Sequence, residues 1–353
     1  MYINKKTFSK KPITPSFFHG LPVALCIGMA LILAPCWAET PIASPQQAPA
    51  SQPLFGAGKV MLGITPTGWV NDDDPSINDN IGYKQIISEM ALSGFQGSSV
   101  SHTYPTDIKE LKFELELRGL KISEPWVGTY FTIKAMKEKN METFDKQMKF
   151  IKAMGGTDIV VAELGNAVHQ LPVAVLPNKP EFSEEQWRLL TDGLNQMGKI
   201  ATENGMNLCY HPHVGTGVEK LPDIERLMKD TKPEYVKLLL DTGHLYYAGV
   251  DPLEITKKYA TRIKHVHLKN IRKNVLDESV KSNSSFLDSI RAGVFTVPGD
   301  PAGAIDFKPI LQTLAAAKFE GWLVVEAEQD PKKANPLVYA KMARNYLREI
   351  LGQ

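Results

Sequence analysis

The chain has 353 residues, of which 43% are hydrophobic and 22% are charged, and its formal net charge at pH 7 is +1. A chain of this length and composition buries a large core as either two domains or one α/β barrel. Acidic and basic residues are mixed throughout, so no basic stripe predicts nucleic-acid binding.

The N-terminal region has the pattern of a secretory signal. Lysines between Lys5 and Lys11 precede an apolar run from Leu21 to Trp37, and the small residue Ala38 follows that run. This order predicts a signal over residues 1–38 that is cleaved after Ala38, and therefore export to the periplasm or beyond. The alternative is an uncleaved membrane anchor, because the run is nearly long enough to span a bilayer.

A segment rich in Pro, Ala and Gln follows at residues 39–56, and this composition predicts a flexible linker. A single folded domain is expected over residues 57–353. Two of the three cysteines, Cys26 and Cys36, leave with the signal. Because Cys209 then remains alone, a disulfide framework is excluded.

Short apolar segments alternate with segments of helical periodicity from Lys59 onward, and Gly155 and Gly205 close two of the helical segments. Eight strand-and-helix units predict an α/β fold of the (β/α)8 TIM-barrel type. The alternative is an open doubly wound sheet, but no Gly-x-Gly-x-x-Gly follows the first strand. The strand candidates are Val60–Thr67, Gly97–His102, Leu120–Val127, Asp158–Gly165, Leu208–Thr216, Val236–His244, Ile263–Asn270 and Gly321–Asp330.

One connection, from Asn270 to Pro301, is longer than a normal barrel loop and is rich in Ser, Asn, Lys and Gly. Long loops often act as lids or substrate walls. We therefore predict a loop of this kind over the mouth of the barrel.

Metal-type ligands end three successive predicted strands. Asp241, His267 and Glu326 follow buried apolar runs, and the ends of parallel strands converge at the mouth of a barrel. A mixed oxygen and nitrogen set suits Mn²⁺, Co²⁺, Zn²⁺ or Fe²⁺ better than Ca²⁺. The alternative for Asp241 by itself is a helix cap.

Two histidines, His211 and His213, are spaced to face the same side of an extended strand. We expect one to reach the metal and the other to reach the substrate. The alternative is a polar pair that holds loops at the rim by hydrogen bonds.

Four further polar residues occupy strand ends or the loops after them. Glu163 is costly to bury unpaired, so it needs a metal, a base or a substrate hydroxyl nearby. Lys269 points to the same side as His267 and could stabilise an oxyanion, or be a solvated lysine. His169 is a candidate substrate contact or a surface residue, and His265 is expected to pack inside the barrel as a neutral histidine.

Aromatic and polar residues crowd the predicted rim. Trp69, Asn71, Asp72 and Asp73 follow the first strand, and Trp126 ends the third. Aromatic rings at a barrel mouth often stack on sugar or cyclitol faces, although Trp is also a good core residue. We therefore expect Trp69, Asn71, Asp72 and Trp126 to bind substrate.

Motifs along the chain form a more specific pattern, which extends from about Lys59 to the C-terminus: GITPTGWVNDDDP, ISEMALSGFQG, AELGNAVHQ, LCYHPHVGTGV, LLLDTGHLYYAGVDP, HVHLKNIR, GVFTVPGD and GWLVVEAEQDP. Together they resemble the inosose dehydratases (2-keto-myo-inositol dehydratases) of the xylose-isomerase-like TIM-barrel superfamily, which includes sugar phosphate isomerases and epimerases. The Asp-Thr-Gly-His and His-x-His-Leu-Lys motifs recur across the superfamily, whereas Trp-x-Asn-Asp-Asp and GVFTVPGD are closer to this one family.

The resemblance implies a divalent-metal lyase that acts on a polyhydroxy cyclic ketone, with Mn²⁺ or Co²⁺ as the expected ion and Zn²⁺ or Fe²⁺ as alternatives. It assigns the four metal-ligand places to His211, Asp241, His267 and Glu326. His211 stands where the sugar epimerase relatives carry a glutamate, which argues against a two-base epimerase.

Dehydration beside a ketone removes a C–H proton and expels a hydroxyl group. Glu163 or His213 is the expected general base, protonated His213 or His244 the expected acid, and Lys269 the group that shares the oxyanion charge. The expected partner is a small cyclitol or sugar, and a homodimer is left open. Alternative functions are an exported sugar isomerase or epimerase, and a non-catalytic sugar-binding protein.

Overall fold

The computed structural model describes residues 53–353, so the predicted signal and most of the predicted linker lie outside the described residues. At the start of this range the Leu54 N–H donates to the Leu351 carbonyl at 3.0 Å, and the Phe55 side chain is buried. Within residues 53–353, no helix is both long enough and apolar enough to cross a bilayer.

A parallel sheet forms the centre of the described chain, with the strand order β3-β2-β1-β11-β8-β7-β6-β5-β4. Its strands are short and buried on both sides, as their continuous apolar sequences predict. The strands of the sheet, and the antiparallel pair β9 and β10 beside it, are β1 (Val60–Ile64), β2 (Gly97–Ser98), β3 (Lys121–Ile122), β4 (Trp126–Thr129), β5 (Asp158–Glu163), β6 (Asn207–Tyr210), β7 (Val236–Asp241), β8 (Ile263–Leu268), β9 (Asn270–Ile271), β10 (Phe295–Thr296) and β11 (Gly321–Val325).

The two edge strands of this sheet, β3 and β4, are successive parts of one predicted strand. Between them the Ser123 N–H donates to the Ser98 carbonyl at 2.9 Å, and the Val160 N–H donates to the Pro125 carbonyl at 3.1 Å. The segment thus pairs with β2 on one side and with β5 on the other, which closes the sheet into a barrel. The predicted (β/α)8 TIM barrel is confirmed, but its third strand is interrupted where Pro125 has no N–H to donate.

Helices surround the barrel and alternate with its strands. Gly155 ends α3 in the left-handed conformation with a φ of 81°, and Ser183 and Gln186 form a capping box at the start of α4. The described helices are α1 (Tyr83–Leu92), α2 (Ile108–Glu116), α3 (Lys137–Met154), α4 (Glu184–Glu203), α5 (Leu221–Asp230), α6 (Thr242–Tyr247), α7 (Pro252–Tyr259), α8 (Lys273–Lys281), α9 (Phe286–Arg291), α10 (Phe307–Ala316) and α11 (Pro336–Leu351).

The long connection after β8 is not the irregular loop that the sequence predicted. It contains α8 and α9, flanked by the antiparallel strands β9 and β10. Phe286 and Phe295 from this segment are fully buried, and each lies against the His244 ring, at centroid distances of 5.8 and 5.4 Å. Polar residues cover the outer surface of this segment. Its composition therefore did not indicate that two of its aromatic residues are buried.

Candidate active site

Four ligand-type side chains meet at the carboxyl ends of neighbouring strands. His211 directly follows β6, Asp241 ends β7, His267 lies one residue before the end of β8, and Glu326 directly follows β11. One ligand atom from each lies within 4.8 Å of the others. The barrel thus brings together all four residues that the resemblance assigned as ligands.

The atoms of this cluster fit a divalent cation. Asp241 Oδ2, His267 Nδ1 and Glu326 Oε2 are buried and have no hydrogen-bond partner among residues 53–353. His267 Nδ1 and Glu326 Oε2 lie only 2.6 Å apart without hydrogen-bond geometry. Buried polar atoms normally have a partner, and two carboxylates with two imidazoles suit Mn²⁺, Co²⁺, Zn²⁺ or Fe²⁺.

The two ligand histidines are oriented by other groups. A carbonyl can only accept, so the contact of 2.8 Å between His211 Nδ1 and the Pro212 carbonyl places the proton on Nδ1 and leaves Nε2 free for a metal. His267 Nε2 lies 3.3 Å from Glu124 Oε1, which turns Nδ1 towards the cluster. A second carboxylate that holds a ligand histidine in this way is common in metal sites.

Glu124 also contacts His265, which lies inside the barrel. His265 Nε2 is 3.2 Å from Glu124 Oε2, and His265 Nδ1 is 2.9 Å from Asp158 Oδ2. Burial opposes a charged ring, but these two carboxylates outweigh it and raise the pKa of His265. Burial likewise opposes ionisation of Glu124, yet His265 and His267 hold its pKa at about 2. Both ring nitrogens of His265 thus face carboxylates, which favours a charged ring over the neutral one that was predicted.

Lys269 lies beside the ligands with no exposed surface. Its ammonium is 2.6 Å from Glu328 Oε1, 3.5 Å from Asp241 Oδ2 and 3.4 Å from Glu326 Oε2. Despite burial, these carboxylates raise the pKa of Lys269. The side chain does not line the cavity, so the prediction that it faces a substrate oxyanion is wrong. Gly243 makes room for it, since a Cβ there would lie 2.4 Å from Lys269 Cγ.

Three more histidines, His213, His244 and His169, line the cavity next to the ligands. Burial lowers the pKa of His169 to about 4 and the pKa of His213 well below its usual value. Burial also lowers the pKa of His244, and the Lys269 ammonium, 2.9 Å from His244 Nε2, lowers it further. The rings of His213 and His244 are 3.8 Å apart between centroids. These shifts favour the neutral rings and disfavour the protonated His213 or His244 that was predicted as the acid.

Glu163 is fully buried and does not line the cavity. Its carboxylate accepts hydrogen bonds from the Thr129 hydroxyl, the Phe131 and Gly165 N–H groups, and both the N–H and the hydroxyl of Thr132, at 2.8 to 3.2 Å. These donors satisfy the carboxylate and join the ends of β4 and β5. The prediction of Glu163 as general base is therefore wrong.

The ligand cluster lies at one side of a cavity of about 270 Å³. The Trp126 ring is 44% exposed and forms part of its wall, as the prediction of a rim aromatic requires. Hydroxyl, amide and carboxyl side chains dominate the remaining wall. The lining residues beyond the histidines are Thr65, Pro66, Thr67, Asp72, Asp73, Ser99, Val100, Glu124, Trp126, Leu164, Gln170, Glu326 and Glu328.

Two residues predicted to bind substrate lie outside this cavity. The Trp69 side chain is 1% exposed, and its indole N–H donates to Glu89 Oε2 at 2.6 Å. The Asn71 side chain is fully buried, and its Oδ1 accepts from the N–H groups of Asp73 and Asp74, both at 3.0 Å. Trp69 is a core residue and Asn71 shapes the loop, so both predictions are wrong. Asp72 does line the cavity, where it pairs with His102.

Sequence reasoning missed Glu124, Glu328, Asp73 and Gln170 as lining residues. For Glu328 a signal was present, because it stands two residues after Glu326, as Lys269 does after His267. An acid within an apolar run and directly before a proline could have marked Glu124. No local pattern distinguishes Asp73 from its acidic neighbours.

Comparisons with known proteins agree with this arrangement. A family model described as xylose isomerase-like TIM barrel matches residues 81–350. The inosose dehydratase of Geobacillus thermodenitrificans is 49% identical over 300 residues, which cover 85% of this chain and 100% of that protein. The inosose dehydratase of Clostridium botulinum is 47% identical over 297 residues, covering 84% and 99%.

Among solved structures, the IOLI protein with a bound zinc atom superposes with a TM-score of 0.60 at 15% identity, covering 82% of this chain and 98% of that one. This likeness shows the shared barrel fold. The sequence matches show the family as well as the fold, because they extend over nearly the whole length of the relatives. The chain is therefore an enzyme of the carbon–oxygen lyase class and belongs to the inosose dehydratase family of xylose isomerase-like TIM barrels.

Proposed function

We propose that the protein removes water from 2-keto-myo-inositol or a similar polyhydroxy cyclic ketone. The observation that carries this proposal is the buried cluster of His211, Asp241, His267 and Glu326 at the wall of a cavity that hydroxyl, amide and carboxyl side chains also line. A cavity of about 270 Å³ suits a single hydroxylated ring. The two relatives above, named inosose dehydratases, support the reaction class.

The cluster would hold one divalent cation, and we propose Mn²⁺ or Co²⁺. When bound, such an ion supplies Lewis-acid stabilisation of the negative charge that develops on a ketone oxygen. A neighbouring residue of the chain keeps Asp241 in the protonation state that binds a cation. The Lys269 ammonium holds the pKa of Asp241 well below its usual value despite burial, so this carboxylate is ionised.

His213 is the best-placed general base. Its Nδ1–H donates to the Val214 carbonyl at 2.8 Å, so the lone pair on Nε2 is free to accept a proton. The neighbouring His244 has its Nε2 engaged by the Lys269 ammonium. A neutral imidazole with a free nitrogen can remove the proton next to the ketone.

The cavity wall supports recognition of several hydroxyl groups at once. Thr65, Thr67 and Ser99 offer hydroxyls that both donate and accept, and Gln170 offers an amide. Trp126 adds an exposed ring, and a cyclitol presents a C–H face that packs on such a ring. This combination favours a cyclic polyol over an extended or anionic substrate.

The test is metal content and turnover of the protein that begins at Glu39. We expect bound Mn²⁺ or Co²⁺, and conversion of 2-keto-myo-inositol to a product lighter by one water, with rising ultraviolet absorbance from the enolised dione. A product of unchanged mass would instead identify an isomerase or epimerase. Binding of the ketone without any metal and without turnover would identify a sugar-binding protein.

We also propose that the protein is exported. The sequence of lysines, apolar run and Ala38 before the linker carries this proposal. N-terminal sequencing of protein from the extracytoplasmic fraction should begin at Glu39. A chain that keeps residues 1–38 and sediments with membranes would show an anchor instead.

A further inference from the structure

Three consecutive aspartates after β1 connect their loop to three different parts of the molecule. Asp72 pairs with His102, and Asp74 accepts from the guanidinium of Arg291 at 2.7 Å. Asp73 accepts from the side-chain amide of Gln170 at 2.8 Å. Asp73 is the one member of this trio whose partner in another part of the molecule is an amide.

Asp73 is half-buried and lines the cavity. The charged groups that face it are the carboxylates of Glu328, Glu326 and Asp72 and, with the opposite sign, the Lys269 ammonium. Burial and then the Glu328 carboxylate raise the pKa of Asp73 to about 7, although Lys269 opposes them. A carboxyl group in these surroundings carries a proton for much of the time near neutral pH.

The other acidic groups of the cavity wall contact basic side chains or belong to the ligand cluster. Glu124 contacts His265 and His267, and Glu328 accepts from Lys269. Glu326 belongs to the ligand cluster. Asp72 pairs with His102, so the geometry leaves Asp73, whose partner is the neutral Gln170 amide, as the acid of the cavity wall that is hydrogen-bonded to no basic side chain.

We infer that Asp73 is the general acid that protonates the departing hydroxyl group, an inference that rests on the proposed dehydratase function. His213 takes the C–H proton, and the electron pair of that bond forms the new C=C bond. The C–O bond breaks as the Asp73 proton moves to the hydroxyl oxygen, and water leaves. Asp73 is left as a carboxylate, and solvent restores the starting protonation states of both residues.

Gln170 positions this acid. Its amide donates to Asp73 Oδ1, so the acidic proton resides on Oδ2. The amide comes from the loop after β5, whereas Asp73 comes from the loop after β1, so the two loops together define the position of the carboxyl group.

The test compares the metal-loaded wild-type protein with Asp73→Asn on two substrates: 2-keto-myo-inositol, and the same ketone with fluorine in place of the departing hydroxyl. Fluoride leaves without a proton. We therefore expect Asp73→Asn to lower the rate of dehydration about 100- to 10,000-fold but to lower the rate of fluoride release less than about tenfold.

A second readout follows the exchange of the substrate C–H hydrogen in D₂O, which needs only the base. This exchange should stay within about threefold of wild type in Asp73→Asn, and Asp73→Glu should restore part of the dehydration rate. Asp79→Asn is the matched control, since Asp79 is an exposed carboxylate of the same loop and does not line the cavity.

Equal losses with both substrates, or full dehydration by Asp73→Asn, would overturn the acid role of Asp73 while leaving the dehydratase function intact. Absence of dehydration in the metal-loaded wild type would overturn the proposed function, and the inference with it. The two failures are thus distinguished by the wild-type protein alone.

Discussion

The Lys269 ammonium lies 2.6 Å from Glu328 Oε1, and neither side chain is more than 3% exposed. This buried cation also lies near Asp241 and Glu326, so it offsets the repulsion among three carboxylates. In the metal-free protein, Lys269→Met should lower the free energy of unfolding by about 3–5 kcal/mol, because it leaves buried charges unpaired. Urea unfolding measures this change.

The control for this variant is Lys264→Met, a half-buried lysine of the same strand, which should change the free energy of unfolding by less than about 1 kcal/mol. Added Mn²⁺ should stabilise Lys269→Met more than wild type, since the ion takes over the lost positive charge. Equal stabilisation by Mn²⁺ in both proteins would contradict this account.

Asp241→Asn should abolish metal binding and turnover together. The substitution keeps an oxygen that can cap α6, where Asp241 Oδ1 accepts from the His244 N–H at 2.8 Å, but it removes the ligand charge. We expect the affinity for Mn²⁺ to fall more than about 100-fold, since even changes outside the ligand set cost 10- to 100-fold. Isothermal titration checks this, with the capping variant Asp251→Asn expected to bind normally.

Glu124→Gln should weaken metal binding while leaving all four ligands in place. The amide loses the negative charge that orients His267 through Nε2, and we expect a 10- to 100-fold lower affinity for Mn²⁺, roughly the range for such outer groups. Measurement by metal titration at pH 7 is sufficient. An unchanged affinity would show that neighbouring packing alone orients His267.

Glu163→Gln should affect stability more than chemistry. A glutamine cannot accept all the hydrogen bonds that the carboxylate receives from Thr129, Thr132 and nearby N–H groups, so the free energy of unfolding should fall by about 1–3 kcal/mol. The folded variant should retain turnover within about tenfold of wild type. Loss of turnover at wild-type stability would restore Glu163 as a catalytic residue.

The contact between Glu124 and His265 predicts how stability depends on pH. The pKa of Glu124 is lowered from 4.5 to about 2, so its contribution is complete above pH 4.5 and is lost as the pH falls towards 2. The pKa of His265 is raised, so its contribution is complete below pH 6.5 and is lost at higher pH. Urea unfolding of the metal-free protein measures this dependence. The free energy of unfolding should differ most between wild type and Glu124→Gln between pH 4.5 and pH 6.5.

Residue type and strand-end position were enough to select Asp241, His267 and Glu326, because the ends of parallel strands share one edge of the barrel, and the family resemblance added His211. The same reasoning failed for Glu163. It also stands at the end of a strand, but the chain after β4 turns back and covers its carboxylate with N–H and hydroxyl donors. The direction of a side chain at a rim depends on loops that come from other strands.

The two tryptophans predicted at the rim also differ because of contacts with other elements. Trp69 has the composition of a sugar-stacking residue, yet its indole reaches Glu89 of α1 and the ring is buried. Trp126, at the start of β4, remains exposed in the cavity. Local sequence does not separate these two tryptophans, because the helix packed against the loop decides which ring is covered.

The sequence by itself determined the barrel, which follows from periodic patterns along the chain, and it selected the candidate ligands from strand-end residues and a family resemblance. Only the tertiary structure decided which acids pair with which bases. Glu124 meets His267 across 143 positions of sequence, and Glu328 meets Lys269 across 59. Protonation depends on burial and on distances between such remote groups, so the surroundings of Lys269 and Asp73 could be described only from the closed barrel.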